Sequence, residues 1–236
     1  HYDAIKGRSQ GSYNALFKLG SILSPLFLGV IFGGLVGGNI NLFSENPNLS
    51  FKEIYIDGWF NVFSVLIGVF YIALCAFIAS NFLIGEADDE DELNLYRKKA
   101  SYSTIILVFI GLVILAYGYF NEIDFVIDFI ENKYSIIAVA ISGIVLIPLW
   151  KMIKLKRKAW ARILAGVQVL LIVSAAMLAH FPDVIITSTK EISILDGVAP
   201  DSVIQVLGIA LLIGGAIILP GLYHLMKSFQ LIKLFK

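Results

Sequence analysis

The chain has 236 residues, 58% of them hydrophobic and 15% charged, and its eighteen basic and eighteen acidic side chains give zero formal net charge. Soluble domains carry about 25% charged residues, so this chain has too little polar surface to solvate a globule of its size. The balanced charge argues against a nucleic-acid partner, and a single cysteine excludes a disulfide framework or a cysteine-built metal site.

The chain opens at His1 and stays polar through Tyr13 without a signal-peptide pattern. That opening reads as the interior of a longer protein. Six apolar stretches follow, at residues 14–38, 59–85, 103–120, 134–150, 159–181 and 202–226. A helix of roughly 17–25 apolar residues crosses a hydrocarbon core of about 30 Å, and in lipid the backbone must satisfy its own hydrogen bonds. The predicted fold class is all-α, a polytopic transmembrane helix bundle with six spans in one transmembrane domain over 1–236. The third and fourth spans are short, so residues 123–130 between them read as an interfacial turn or a helix extension.

In the first span Gly29, Gly33 and Gly37 recur every fourth residue, a spacing that lets a neighbouring backbone approach closely. Pro25, Pro148 and Pro220 fall inside or near the ends of spans and read as kinks, ahead of the broken helices of transporters. Cys75, within the second span, reads as a small apolar packing residue. The acidic run 86–92 reads as a solvated connector. Trp59, Trp150 and Trp160 fall at span ends, where an amphipathic indole is favoured.

Lys and Arg are retained in cytoplasmic loops. Fifteen of the eighteen basic residues fall in alternate places: before the first span, between the second and third, between the fourth and fifth, and in the tail. The opposite loops hold only Lys52, Lys133 and Lys190, together with most of the acids outside the 86–92 run, including Glu53, Asp57, Asp124, Asp128, Asp183, Glu191 and Asp196. Both ends of the sequence are predicted cytoplasmic.

Ionisable groups at membrane depth are costly and usually functional, and no Asp, Glu, Lys or Arg lies in the middle of a span. The polar residues within spans are mostly Ser, with Asn61, Gln168 and Gln205, and read as helix–helix hydrogen-bonding groups. Haem between helices needs axial ligands such as His or Met. His1 is terminal, while His180 and His224 fall at the edges of the fifth and sixth spans, expected on opposite faces of the membrane. They read as interfacial histidines, and no haem site is evident.

Four segments, in order, resemble subunit II of the bacterial cytochrome bd-type quinol oxidases. They are LGSILSPLFLGVIFG at 19–33, the span and acidic connector at 58–92, KAWARILAGVQVLLIVSAAMLAHFP at 158–182, and 193–217, which begins SILDGVAPDSVIQVL, with Pro220 continuing the match. The joint order and spacing cover nearly the whole chain. The family's Gly-Phe-Asp and His-Trp-Asp motifs, and the acidic residue after its third span, do not occur here, so the resemblance implies that earlier spans are missing. It marks Pro25, Gly29, Gly33, Trp160, Phe181, Pro182, Asp196 and Pro220 as signature or packing positions. It gives this chain no catalytic, cofactor-binding or metal-binding residue.

The resemblance implies a haem-free subunit that supports assembly and stability of a haem-bearing subunit I, in a heterodimer that leaves room for a small single-span subunit. Haems b and d, or b alone, and the quinol site would belong to that partner. The complex would oxidise quinol and reduce dioxygen to water in a bacterial cell membrane, building a proton gradient without pumping. Lipid and quinol are the small partners implied, and no nucleic acid. A secondary transporter is the competing reading; it draws on the prolines and glycines within spans and is weakened by the missing intramembrane charges.

Overall fold

The computed structural model describes residues 10–42, 48–85, 87, 89–155, 157–195 and 198–228. Its helices are α1 (Gln10–Val36), α2 (Phe51–Tyr55), α3 (Val62–Leu83), α4 (Glu90–Phe120), α5 (Asp124–Glu131), α6 (Lys133–Lys154), α7 (Lys158–His180) and α8 (Asp201–Ser228). A two-stranded antiparallel hairpin, β1 (Asp183–Ile186) and β2 (Glu191–Ser193), follows α7. Six helices are long and apolar enough to cross a membrane: Tyr13–Val36, Val62–Leu83, Glu90–Phe120, Lys133–Lys154, Ala159–His180 and Asp201–Leu225. The six expected spans are therefore all present, and the protein is a polytopic all-α membrane protein. The backbone groups into two compact units, His1–Ser193 and Ile194–Lys236; α8 is the helix of the second.

Three departures from expectation have local causes. The third span is not short at its beginning: α4 runs 31 residues, about 46 Å at ~1.5 Å per residue, while residues 100–120 alone rise about 30 Å. Its first turns carry Glu90, Asp91 and Glu92, and the Asp89 side chain accepts from the Glu92 N–H at 2.7 Å. Acids at a helix start satisfy free N–H groups and oppose the dipole. Part of the acidic run expected to be a connector is thus a helix N-terminus. Residues 124–131 form a separate helix, α5, rather than an extension, because α4 closes at Asn121. There the Ile123 N–H bonds to the Gly118 carbonyl at 2.9 Å and the Glu122 N–H to the Tyr119 carbonyl at 3.3 Å, the paired bonds of a left-handed helix stop. Asn61, counted among the polar residues of the second span, is instead the N-cap of α3, accepting from the Ser64 N–H at 2.9 Å.

In the first unit α1 packs on α3, α3 on α4, and α6 on α7, with further contact between α3 and α7. Apolar burial gives little drive between helices already in hydrocarbon; close packing and interhelical hydrogen bonds hold them instead. One apolar cluster joins Phe77 and Leu74 of α3 to Ala100 and Leu107 of α4, Leu149 of α6, and Ala161 and Ala165 of α7. A second joins Val36, Phe63, Ile67, Ile114, Phe125, Val126 and Ile186.

These contacts also sort the helix ends. The start of α7 meets the end of α3 through Arg162, which donates to the Phe82 carbonyl from Nη2 at 3.0 Å and Nε at 3.3 Å. The end of α7 meets α5, where the His180 and Phe125 rings lie 4.8 Å apart, edge to face. The segment after α1 meets the hairpin through an Ile40–Thr187 bridge. The end of α3 and the start of α7 thus lie together at one end of this unit, and the end of α7 lies with α5 at the other.

Candidate functional site

The first of two constructions worth weighing is the α1–α3 seam. A Cβ placed at Gly29 would stand 2.7 Å from both the Gly68 Cα and the Ile67 carbonyl oxygen, and one at Gly33 would stand 2.7 Å from the Ser64 Cα. Across the seam, a Cβ at Gly68 would meet the Leu26 carbonyl at 2.8 Å. Backbone atoms of the facing helix stand within this distance at all three positions, so even alanine would push the helices apart. The expected close packing at Gly29 and Gly33 is present. Gly37 differs: it lies just past the end of α1, and the atom nearest its added Cβ is the Gly33 carbonyl of that helix, at 2.7 Å, with Phe63 following at 3.4 Å.

Polar groups at membrane depth meet one another across helices. The Ser80 and Ser103 hydroxyls lie 2.9 Å apart, joining α3 to α4. Gln168 Nε2 donates to Ser142 Oγ at 2.7 Å and Ser135 Oγ donates to the Ala175 carbonyl at 2.9 Å, joining α7 to α6. At the end of that pair Asn132 both caps α6, accepting from Tyr134 N–H at 2.9 Å, and donates to the Leu178 carbonyl at 2.8 Å. Each such bond is worth about 0.6 kcal/mol on average and up to ~1.7. The hydrogen-bonding role expected of Gln168 is seen. Asn81, fully buried with Nδ2 on the Phe77 carbonyl at 2.8 Å, was not singled out; an amide inside an apolar run is the signal that marks it.

The second construction is the acid-bearing end. α5 buries Phe125 and Val126 and leaves Asp128 half-buried. Burial pushes the Asp128 carboxyl above the usual carboxylate range; Asp124 adds to this, His180 opposes it, and Glu131 and Asp183 raise it further. On β2 the Glu191 carboxyl is also raised, first by burial, then by repulsion from Asp183, Asp128 and Asp124, and by a hydrogen bond with Asp183. A polar cleft of about 510 Å³ opens at the start of α5, lined by Asn39, Asn61, Tyr117, Asn121, Glu122 and Asp124 among others.

The remaining expected positions are scattered. Pro25 lies inside α1 and Pro220 inside α8. Trp160 lies in the first turn of α7, half exposed, at the opposite end of the unit from Phe181 and Pro182, whose peptide bond is cis. Asp196 lies outside the described residues. Cys75 is exposed on α3 rather than packed inside: the packed α3 positions beside it, Ala73, Leu74 and Phe77, lie on another face of the helix.

The described histidine of the first unit, His180, stands at the bundle end with its ring against Phe125, and Met177 is half exposed on α7. Among the described residues no group of three or more His, Cys, Asp or Glu is placed to hold a metal ion.

The sequence model of the family described as cytochrome bd terminal oxidase subunit II matches residues 1–229, and the chain belongs to that family. No curated protein gives a significant match. Membership makes the chain a subunit of a quinol oxidase complex of the respiratory chain, and it implies a partner subunit.

Proposed function

We propose that this member of the cytochrome bd terminal oxidase subunit II family is a haem-free subunit that assembles and stabilises a haem-bearing subunit I. The observation that carries the reading is the family match over residues 1–229. The geometry supports it from another direction. Polar groups within the spans pair across helices, as Ser80 with Ser103 and Gln168 with Ser142, and the glycine seam spends its small residues on helix contact. Such features build a rigid surface rather than a reactive centre.

In this reading the partner subunit holds the haems, b and d or b alone, and they carry electrons from quinol to dioxygen. Two quinols give four electrons and four protons, and one dioxygen becomes two waters. Quinol protons leave on one side and the protons of water enter from the other, so the reaction is electrogenic without pumping. The subunit lies in the bacterial cell membrane with its Lys/Arg-rich ends, and both ends of this sequence, in the cytoplasm. A small single-span subunit fits the same complex. What this chain contributes is its own: the α1–α3 and α6–α7 pairs present preformed apolar faces, including Leu16, Phe17 and Ile31 of α1 and Ile144 and Ile147 of α6, to lipid and to the partner.

The test removes the chain. Membranes from cells that still express the haem-bearing subunit but lack this one are expected to lose quinol oxidase activity and haem absorbance. Unchanged activity with an unchanged spectrum would sink the reading.

A further inference from the structure

The α6–α7 turn carries the largest cluster of basic residues in the chain. Six basic residues and no acid lie between positions 151 and 162. Lys151 and Lys154 are exposed on the last turns of α6, and Arg157, exposed, is the residue before α7. Arg157 forms no side-chain hydrogen bond capping α7, so the first turn of α7 adds its N–H groups to the same positive end. Directly below the charges a groove of about 440 Å³ runs between the two helices, lined by Pro148, Met152, Leu155, Arg157, Trp160 and Leu164. Apart from Arg157 and the indole N–H of Trp160 the lining is apolar, and it includes Leu155 and Arg157 at the turn together with Pro148 of α6 and Leu164 of α7.

We propose that this groove is a binding site for one anionic phospholipid of the leaflet on the Lys/Arg-rich side. An acyl chain lies along Pro148, Met152 and Leu164, and the phosphate meets Arg157, Lys154 and Lys151. Charge complementarity selects the occupant. A protein helix laid here would have to bring acids to the headgroup level, whereas an anionic lipid carries its charge at that depth already. Trp160, 55% exposed, stands where an amphipathic ring marks the headgroup level. Basic pockets between spans favour anionic headgroups for the same reason, each Lys or Arg near the surface adding about 1 kcal/mol, or roughly fivefold in affinity.

The test uses the oxidase complex purified through this chain, stripped of lipid, and equilibrated with equal amounts of phosphatidylglycerol or phosphatidylcholine before native mass spectrometry. The wild-type complex is expected to retain phosphatidylglycerol at least about fivefold better, a preference that shrinks as salt is raised. A Lys151→Gln, Lys154→Gln, Arg157→Gln variant is expected to bind both lipids alike, because exposed charges can be removed without disturbing the fold. Met152→Trp, which fills the groove, is expected to lower retention of both. Equal retention of the two lipids by the wild type, or a preference unchanged by removing the three charges, would overturn the site. So would cross-linking of Leu155→Cys to the partner subunit in place of lipid.

Discussion

Gly33 touches the Ser64 backbone so closely that a methyl group there would stand 2.7 Å from a Cα. Overpacking of this kind costs about 1–3 kcal/mol, and the clash with backbone leaves no rotamer to absorb it. Gly33→Val is expected to lower the thermal midpoint of the solubilised complex and the yield of complex on native gels. Gly143→Ala, where an added Cβ meets nothing within 4 Å, is expected to change neither. Equal behaviour of the two variants would contradict the seam. Glu122 offers the opposite case: it ends α4 at φ 51°, in the left-handed region that disfavours a side chain. Glu122→Gly is expected to stabilise the protein by about 0.5–1 kcal/mol, after the entropy glycine returns to the unfolded chain. A fall in the thermal midpoint would show that the carboxylate has another task. The Gly29 and Gly33 contacts were legible because glycine at every fourth position has one common use in a span. Glu122 was not, since nothing in an Asn-Glu-Ile string announces a left-handed residue.

Arg162 links elements. Its guanidinium donates twice to the Phe82 carbonyl at the end of α3, and it also lies 5.7 Å from the Phe82 ring centroid. A Cβ at Gly85 would run into the same guanidinium. A cation at a helix C-terminus is worth about 0.3–1 kcal/mol, with more in partly buried geometry. Arg162→Gln is expected to destabilise by about 1 kcal/mol, and Arg162→Lys to recover only part of that, because lysine lacks the planar fork. Full recovery by lysine in thermal melts would assign the link to charge alone.

At the acid-bearing end, α5 and the hairpin hold Asp128 and Glu191 with carboxyls raised above their ordinary range. A carboxyl raised in the folded state adds stability below its unfolded value, about 4, and loses it as pH rises through the folded value. The contribution of these two carboxyls to the thermal midpoint is therefore expected to grow as pH falls from neutral towards about 4. The Asp128→Asn, Glu191→Gln variant is expected to show a flatter slope; a slope identical to wild type would refute the raised carboxyls. The sequence placed these acids on one side but could not bring residues 128 and 191 together. That proximity depends on α5 being its own helix, fixed by the α4 stop and by burial of Phe125 and Val126. The start of α4, by contrast, was readable: Asp89 with Glu92 three residues on is a capping pattern, masked by the weight of charge around it.

At the scale of the whole molecule, the six spans were legible because lipid leaves so few backbone solutions. The alternation of basic and acidic ends was legible too, and the contacts of Arg162 with Phe82 and of His180 with Phe125 put the ends of α3 and α7 where that alternation needs them. The helix partners were not legible. Nothing in an apolar run says that α3 sits against α1 and α4 while α6 pairs with α7, since every face is greasy and the pairing rests on a few glycines, serines and one glutamine. For the same reason the chain reveals its task through its family and through what its polar groups are engaged in. The most direct measurement is affinity purification of this chain from native membranes, followed by a reduced-minus-oxidised spectrum and quinol-dependent oxygen consumption, before and after the partner subunit is dissociated. Haem signal and oxidase activity should co-purify with the chain and then leave with the partner. Haem that stays with this chain, or purification without any haem protein, would contradict the proposed role of a haem-free subunit.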